Sequence, residues 1–387
     1  MEKILFIVNG VAKNGEKIGV SGSEIRLFEI SKYLNGYEIN YLCSKTGEIL
    51  IKNFKVKYKD KHVINYSVGE GVLPNLIISL KSFFQLPNSL SGYKGLVYSS
   101  SEHLYDVLPA LRLKIFNGCK WYAVYHWVED YPWIDKRGNT PTIKRYLYWL
   151  NRVFSGLLIK YFSDNILAVS EQTKEKLIKI KKIHPNKIKA VYCGVEVDRI
   201  VKLTKKHSLA KEKLFDAIYI KRLNYGKGVV DLLKIWQEVC RHKSNARLAI
   251  VGDGPKYVVD EIKNFIIKNN LGRNILLLGV IYDFEKKVKL LNSSKLFILP
   301  SNEENWAIVI GEAMACKVPV IAYSLKEIRP IWKDNLEWIK VGQINNFSNK
   351  ILFLLENKNI RNFYAEKGLK FIRQYDWKDI AETELQD

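Results

Sequence analysis

The sequence is poor in cysteine, with five in 387 residues, and no two of them stand in a C-x-x-C spacing. Clustered cysteines mark disulfide frameworks and structural zinc sites, so neither is expected, and a reducing cytoplasm is the predicted location. Long apolar runs are also missing, because no uncharged stretch approaches the roughly 18 residues that span a bilayer. The apolar run Ile4–Val8 is too short for the core of a signal peptide and is better explained as a buried strand.

Acidic residues are few relative to basic ones: 40 Asp and Glu stand against 62 Lys and Arg, a formal net charge of +22. Such an excess fits nucleic acid or an anionic membrane as a partner. It is spread over both halves of the chain, however, and most of the basic residues are lysines. Nucleic-acid readers favour clustered arginines. No nucleic acid is therefore expected as a partner, and most of the charge is interpreted as a solvated, lysine-rich surface.

One segment keeps an anionic membrane surface open as a partner. Residues 144–162 have helical periodicity, with basic and aromatic side chains interleaved as in helices that lie on membranes. A helix that packs on the core and holds its basic residues in water explains the same pattern. The predicted location is therefore cytoplasmic, with the inner face of the membrane as an alternative.

Short apolar runs alternate with amphipathic helical patterns along the whole chain. Strands are predicted at Lys3–Asn9 and Tyr37–Cys43, on either side of a helix at Glu24–Leu34. Alternation of this kind is typical of parallel doubly wound sheets. The basic stretch Val201–Lys213 is a predicted linker, and the length suits two domains. After the linker the alternation restarts with predicted elements at Phe215–Ile220, Val229–Cys240, Ala246–Val251, Tyr257–Asn269, Ile275–Leu278, Lys295–Leu299, Ile308–Cys316 and Val318–Tyr323.

The most informative segment is Pro300–Val320. A predicted strand leads into a polar loop, and a helix is expected to begin around Asn305. Glu304 stands at the junction of loop and helix, and Glu312 follows at a distance of about 12 Å along the helix. The free N–H groups of a helix N-terminus favour phosphate or sugar oxygens. A capped helix in which both glutamates have only a structural role would explain the same residues without a ligand.

In the segment Pro300–Val320 the chain resembles the retaining glycosyltransferases of family four. Other segments match family motifs in the same order along the chain: Ser21–Glu24 (G-G-x-E), Leu167–Ser170 (the strand before the domain linker), Gly194–Asp198 (N-G-V-D), Arg222–Gly228 (R-L-x-x-x-K-G) and Ile250–Pro255 (V-G-D-G-P). The resemblance implies the α/β GT-B fold, with two Rossmann-like doubly wound parallel-sheet domains facing across a cleft. Residues 1–200 and a C-terminal helix at 372–387 would form the acceptor-side domain, and residues 201–371 the donor-binding domain.

The resemblance also implies roles for individual residues. These are Glu304 and His126 as catalytic residues, Arg222, Lys227 and Gly22 at the donor diphosphate, Glu312 at the ribose, Asn305, Trp306 and Ala307 at the donor sugar, and Gly279 and Val280 at the base. No D-x-D sequence and no cluster with metal spacing is present, so neither a metal nor another cofactor is expected. The implied activity is retaining transfer of a sugar from a UDP- or GDP-type donor to a glycan or lipid-linked acceptor in cell-surface polysaccharide synthesis.

Several of the family's glycines are replaced. Lys221, Lys317 and Ala307 stand at such positions, and the two lysines matter if the backbone there needs a positive φ or a close approach to a ligand. A degenerate, non-catalytic member of the family is therefore one alternative, and a nucleotide-sugar epimerase of the same architecture is another. An NAD-dependent dehydrogenase fits less well, because neither glycine-rich turn completes G-x-G-x-x-G.

Overall fold

The computed structural model describes residues 1–9, 11–13, 17–19, 22–66, 72–129, 131–132, 142–206 and 213–386. Its contacts divide the chain into two compact units. The first comprises Met1–Cys193 and Trp377–Asp387, and the second comprises Gly194–Asp376. Residues 194–200 and 372–376, which were expected in the first domain, thus belong to the second unit.

The first unit is a parallel α/β layer structure. Its central sheet has seven strands, all paired in parallel, in the order β5-β4-β1-β6-β7-β8-β9, and a separate antiparallel hairpin joins β2 to β3. The core lies around this sheet, because the inner strands are apolar on both faces and are covered by helices. The elements are β1 (Glu2–Val8), β2 (Val11–Lys13), β3 (Lys17–Gly19), α1 (Gly22–Tyr33), β4 (Tyr37–Ser44), α2 (Lys45–Phe54), β5 (Asp60–Ile64), α3 (Val72–Phe84), β6 (Leu96–Ser99), α4 (Leu104–Asn117), β7 (Lys120–Tyr125), α5 (Thr142–Phe162), β8 (Asn165–Ala168), α6 (Glu171–Lys179) and β9 (Ile188–Ala190).

The second unit repeats this architecture with six parallel strands in the order β12-β11-β10-β13-β14-β15. The order reverses between β10 and β13, which are neighbours in the sheet. In open α/β sheets, ligands bind outside the carboxyl ends of the strands at such a reversal. The elements are α7 (Val197–Lys206), β10 (Phe215–Ile220), α8 (Val229–His242), β11 (Leu248–Val251), α9 (Lys256–Lys268), β12 (Ile275–Gly279), α10 (Phe284–Asn292), β13 (Ser294–Leu299), α11 (Ile308–Ala315), β14 (Val320–Tyr323), α12 (Arg329–Trp332), β15 (Glu337–Ile339), α13 (Ile344–Glu356) and α14 (Lys358–Ile372).

The predicted alternation of strands and helices is confirmed, with most boundaries within two residues of the expected ones. The linker prediction is wrong for its first part, because Val201–Lys206 completes helix α7, which packs on α10 and α11; residues 207–212 lie outside the described part. The segment 144–162 is helical, as predicted, and belongs to α5. Among the helices that the structure describes, none is both long and apolar enough to cross a membrane.

The C-terminal helix α15 (Trp377–Glu384) packs against α1 of the first unit, as the expected return of the chain requires. Its last residue, Glu384, forms an ion pair of 2.6 Å with Arg26 of α1, and both side chains are almost completely buried. The hydroxyl of Tyr98 donates a second hydrogen bond to Glu384, and Arg26 also donates to that hydroxyl and to the carbonyl of Tyr192. The last helix is therefore fastened to the first unit by a fully hydrogen-bonded buried charge pair.

Replacing Glu384 with glutamine should lower the free energy of unfolding by about 3–5 kcal/mol, because Arg26 would keep a buried charge without its counter-charge. Urea unfolding measures the change. Glu382→Gln, at an exposed position of the same helix, is the matched control and should change stability by less than about 0.5 kcal/mol. Equal stabilities of the two variants would contradict the anchoring role of the pair.

Candidate functional site

Two loops meet at the carboxyl edge of the second sheet. One, Lys221–Gly228, follows β10, and the other, Pro300–Ala307, follows β13. The backbone N–H of Asn302 donates to the carbonyl of Gly226 at 2.9 Å. Gly228 has φ 74°, and a Cβ there would lie 1.6 Å from the carbonyl oxygen of Pro300. Only glycine allows this approach, so the glycine of the K-G motif fixes the contact between the loops.

A charge cluster joins the same two loops. Glu304 is buried, and its Oε2 accepts a hydrogen bond of 2.9 Å from Lys221 Nζ. Lys227 Nζ lies 3.6 Å from Glu304 Oε1 and donates to the carbonyl of Glu303 at 2.6 Å. Burial alone would raise the pKa of Glu304, but the ammonium groups of Lys221 and Lys227 lower it. The carboxylate therefore stays ionised, between two cations.

Lys221 is a site residue that sequence reasoning missed, since it was noted only as a replaced glycine. Its partner Glu304 lies 83 positions away in the chain, and no local pattern signals such a pair. Arg222, the next residue, is exposed. Of the cations expected at the diphosphate, the structure thus brings Lys227 to Glu304 and leaves Arg222 at the surface beside them.

Glu312 lies on α11 and is mostly buried. Its Oε1 accepts a hydrogen bond of 2.6 Å from Lys287 Nζ on α10. Lys287 was not predicted, and its only sequence signal is a lysine in an ordinary helical pattern. The pair holds the Glu312 side chain against Lys287 of α10.

The helix after Glu304 begins at Ile308, as the strand–helix alternation predicts, and not around Asn305, as the loop–helix motif suggested. Ala307, at the N-cap position, has φ 59° and ψ 60°, and a residue in this left-handed conformation cannot belong to the helix. The Trp306 indole is buried against Trp332, at 4.6 Å between ring centroids, and the Trp306 carbonyl accepts a hydrogen bond from Trp332 Nε1. Trp306 therefore anchors the loop through its ring and its backbone carbonyl.

The turn at Gly252–Pro255 supports the loop that carries Arg222. Leu223 donates its N–H to the carbonyl of Asp253 at 2.8 Å, and a Cβ on Gly252 would lie 1.8 Å from the carbonyl oxygen of Lys221. The carbonyl of Gly279, which has φ 67°, accepts from the N–H of Gly252. The glycines of this motif thus serve close packing of backbone on backbone.

His126 and Gly22 belong to the first unit. His126 follows β7, its N–H donates to Glu102 Oε2 at 3.0 Å, and its Nε2 lies 3.0 Å from the carbonyl oxygen of Ser100. Burial lowers the pKa of His126, so the ring is neutral at physiological pH. Gly22 is the first residue of α1, and a Cβ there would contact no atom of the described residues within 4 Å, so packing against that part of the chain does not require glycine.

A buried ion pair that the sequence did not reveal holds the His126 loop. Glu102 accepts hydrogen bonds from the N–H groups of His126 and Trp127, and Arg152 of α5 pairs with the same carboxylate. Arg152 also donates to the carbonyl of Trp127 at 3.0 Å. Burial alone would raise the pKa of Glu102, but the Arg152 guanidinium beside it lowers it to about 2. The loop is thereby fixed to α5 and to the segment between β6 and α4.

Comparison with known proteins agrees with the motif order. Residues 20–199 match the family model described as Glycosyltransferase Family 4, and residues 201–371 match the model described as Glycosyl transferases group 1. The two matches follow one another and together take in most of the chain. The chain belongs to the family 4 glycosyltransferases. The predicted family is thus confirmed.

Known glycosyltransferases align with part of the chain. An uncharacterized glycosyltransferase of Methanocaldococcus jannaschii is 27% identical over 219 residues, 56% of this chain and 56% of that protein. The capsular polysaccharide biosynthesis glycosyltransferase CapM of Staphylococcus aureus is 22% identical over 255 residues, 62% of this chain and 66% of its own length. The chain therefore spans a little more than half of the length of the first relative and about two thirds of the length of the second.

A solved structure extends the likeness over the whole chain. The crystal structure of Anabaena HepE in complex with UDP-glucose superimposes with a TM-score of 0.72 at 17% sequence identity, covering 99% of this chain and 98% of that one. At this identity the likeness concerns the fold. Together with the two parallel sheets it confirms the predicted GT-B fold class.

The replaced family glycines differ in their backbone conformation. Lys317 has φ 54° and Ala307 has φ 59°, so both occupy the left-handed region that glycine adopts without strain. Lys221 is not among the described residues with positive φ. The concern raised by the sequence thus applies to Lys317, just after α11, and the Lys221 backbone tolerates a side chain.

Replacing Lys317 with glycine should raise the free energy of unfolding by about 1 kcal/mol, because the left-handed backbone then carries no Cβ. Thermal unfolding measures the change. Lys317→Ala is the matched control, since it also removes the exposed ion pair with Glu366 but keeps the Cβ. A glycine variant that is no more stable than the alanine variant would show that this position stores no backbone strain.

Proposed function

We propose that the protein transfers a sugar, with retention of anomeric configuration, from a nucleotide-diphosphate sugar to a glycan or lipid-linked acceptor. The observation that carries this proposal is the joining of Lys221, Lys227 and Glu304 at the point where the strand order of the second sheet reverses. A ligand site is expected there. Two ammonium groups and an exposed guanidinium offer the charge that a diphosphate needs.

Each proposed role follows from the chemistry of one side chain. Lys227 and Arg222 would stabilise the diphosphate, first in the donor and then as the leaving group. The carboxylate of Glu312 would accept hydrogen bonds from the ribose hydroxyls. Glu304 and the N–H groups of Asn305–Ala307 would hold the transferred sugar. The base would lie against Gly279 and Val280. Val280 is 41% exposed.

In the first unit, His126 would face the donor sugar, and Gly22 would lie against the diphosphate. The neutral His126 ring suits a hydrogen bond with a sugar hydroxyl better than an ion pair with phosphate. For the reaction, the proposal is attack by the acceptor hydroxyl from the face that the nucleotide leaves, with the departing phosphate taking the proton. The cationic side chains would support the charge that develops on that phosphate.

The donor nucleotide is proposed to be UDP. The HepE structure contains UDP-glucose, and the GT-B fold that this chain shares with it makes UDP the first nucleotide to test. A GDP-type donor is the second candidate. An epimerase of the same architecture would change the donor sugar without any acceptor, and a degenerate member of the family would bind the donor and leave it intact.

Isothermal titration of the protein with UDP should show saturable binding. Glu312→Ala should weaken this binding by about 10- to 100-fold, because hydrogen bonds from the ribose hydroxyls to a charged group are lost. The matched control is Glu356→Ala, which removes an exposed carboxylate from the end of α13 in the same unit. It should bind UDP as the wild type does.

The same affinity for both variants would contradict the ribose role of Glu312. Absence of binding with UDP and with GDP would contradict the donor site itself. Incubation with UDP-glucose and a panel of glycans distinguishes the activities, since a transferase forms a new glycoside and an epimerase forms a new nucleotide sugar. A product with inverted anomeric configuration would contradict retention.

A further inference from the structure

A cavity of about 150 Å³ lies in the first unit, where helices α3, α4 and α5 meet. A cavity of roughly this volume in another protein binds benzene, so there is space for one six-membered ring. Three helices contribute to the wall, with α4 doing so through its first turn and N-cap. Among the lining residues are Asn75, Ser79, His103, Tyr105, Tyr148 and Asn151.

The lining combines aromatic rings with uncharged polar groups. The rings of His103 and Tyr105 stack at 5.0 Å between centroids, and the amide oxygen of Asn75 is buried without a hydrogen-bond partner among the described residues. A buried amide oxygen is costly unless a ligand or a water molecule donates to it. Ring surfaces with a few hydrogen-bonding groups suit a ligand that has a ring and hydroxyl groups.

Among the residues that the structure describes, the charges around this wall offer no cation for an anionic ligand. None of the described residues that line the cavity is a lysine, arginine, aspartate or glutamate. Arg152 lies behind His103, at 3.4 Å from its Nδ1, but two carboxylates face it: Glu102 pairs with it directly, and Glu129 Oε1 lies 3.4 Å from its Nε. Burial lowers the pKa of His103 to about 3, so this ring is neutral too. A phosphate in the cavity would therefore be buried without a counter-charge from the described lining residues.

One wall residue of the cavity is the sequence neighbour of the carboxylate that holds the His126 loop. Its wall residue His103 directly follows Glu102, and Glu102 binds the N–H groups of His126 and Trp127. We propose that the cavity binds one uncharged pyranose residue of the acceptor and excludes a phosphorylated one. This inference rests on the proposed function, because only a transferase needs an acceptor.

Saturation-transfer NMR with the full-length protein tests the proposal, using methyl glycosides of glucose, galactose and mannose against the corresponding hexose phosphates. The glycosides should bind, and the phosphates should bind at least tenfold more weakly. Asn75→Ala and Asn151→Ala should each weaken glycoside binding roughly three- to tenfold, the loss expected for one hydrogen bond. Asn186→Ala, at an exposed position of the same unit outside the cavity lining, is the matched control and should bind as the wild type does.

Preferred binding of the phosphates, no binding of any glycoside, or equal binding by the cavity variants and the control would each overturn the proposal. UDP titration of the same samples separates the two claims, because loss of glycoside binding with UDP binding intact overturns only the cavity. Glu102→Gln removes one of the two carboxylates that face Arg152, and a folded variant should bind hexose phosphates more tightly than the wild type. Unchanged exclusion of phosphates by that variant would overturn the charge argument.

Discussion

Much of the candidate site depends on one buried carboxylate, that of Glu304. A carboxylate taken out of water costs several kcal/mol unless cations and hydrogen bonds compensate, and here the cations come from the loop after another strand, as Lys221 and Lys227. The requirement ties the loop after β10 to the loop after β13. The backbone contact at Gly228 has the same effect. The two strands that flank the reversal of strand order therefore present their loops as one charged surface.

The first unit uses the same physical device at the end of its own strands. Glu102 is buried and is neutralised by Arg152 of α5. Its carboxylate oxygens accept hydrogen bonds from the N–H groups of His126 and Trp127. In both units a buried charge pair thus links loop to loop or loop to helix. Groups held in this way need little reorganisation when a charged ligand binds, which is what favours electrostatic stabilisation of a leaving phosphate.

The sequence predicted what depends on local pattern and missed what depends on distant partners. Strand β10 was predicted with its observed bounds, because a short apolar run limited by polar residues is a local signal. Lys221 and Lys287 were missed because their partners Glu304 and Glu312 lie 83 and 25 positions away. The alternation placed the start of α11 correctly at Ile308, whereas the motif segment placed it around Asn305. Residues 305–307 stay outside the helix because Ala307, a residue that seldom does so, adopts a left-handed conformation. The proposed roles of the site residues come from the family motifs, because spacing alone does not assign them.

The most direct test of the central claim, a nucleotide-sugar site at the carboxyl edge of the second sheet, is amide hydrogen exchange with and without saturating UDP-glucose. We expect slower exchange in peptides that contain Lys221–Gly228 and Glu304–Glu312, with the N–H groups of Asn305–Ala307 protected more by UDP-glucose than by UDP. Exposed surface peptides such as Lys358–Glu366 should not change. Bound UDP-glucose that leaves both segments unprotected would show that the donor does not bind at this edge of the sheet.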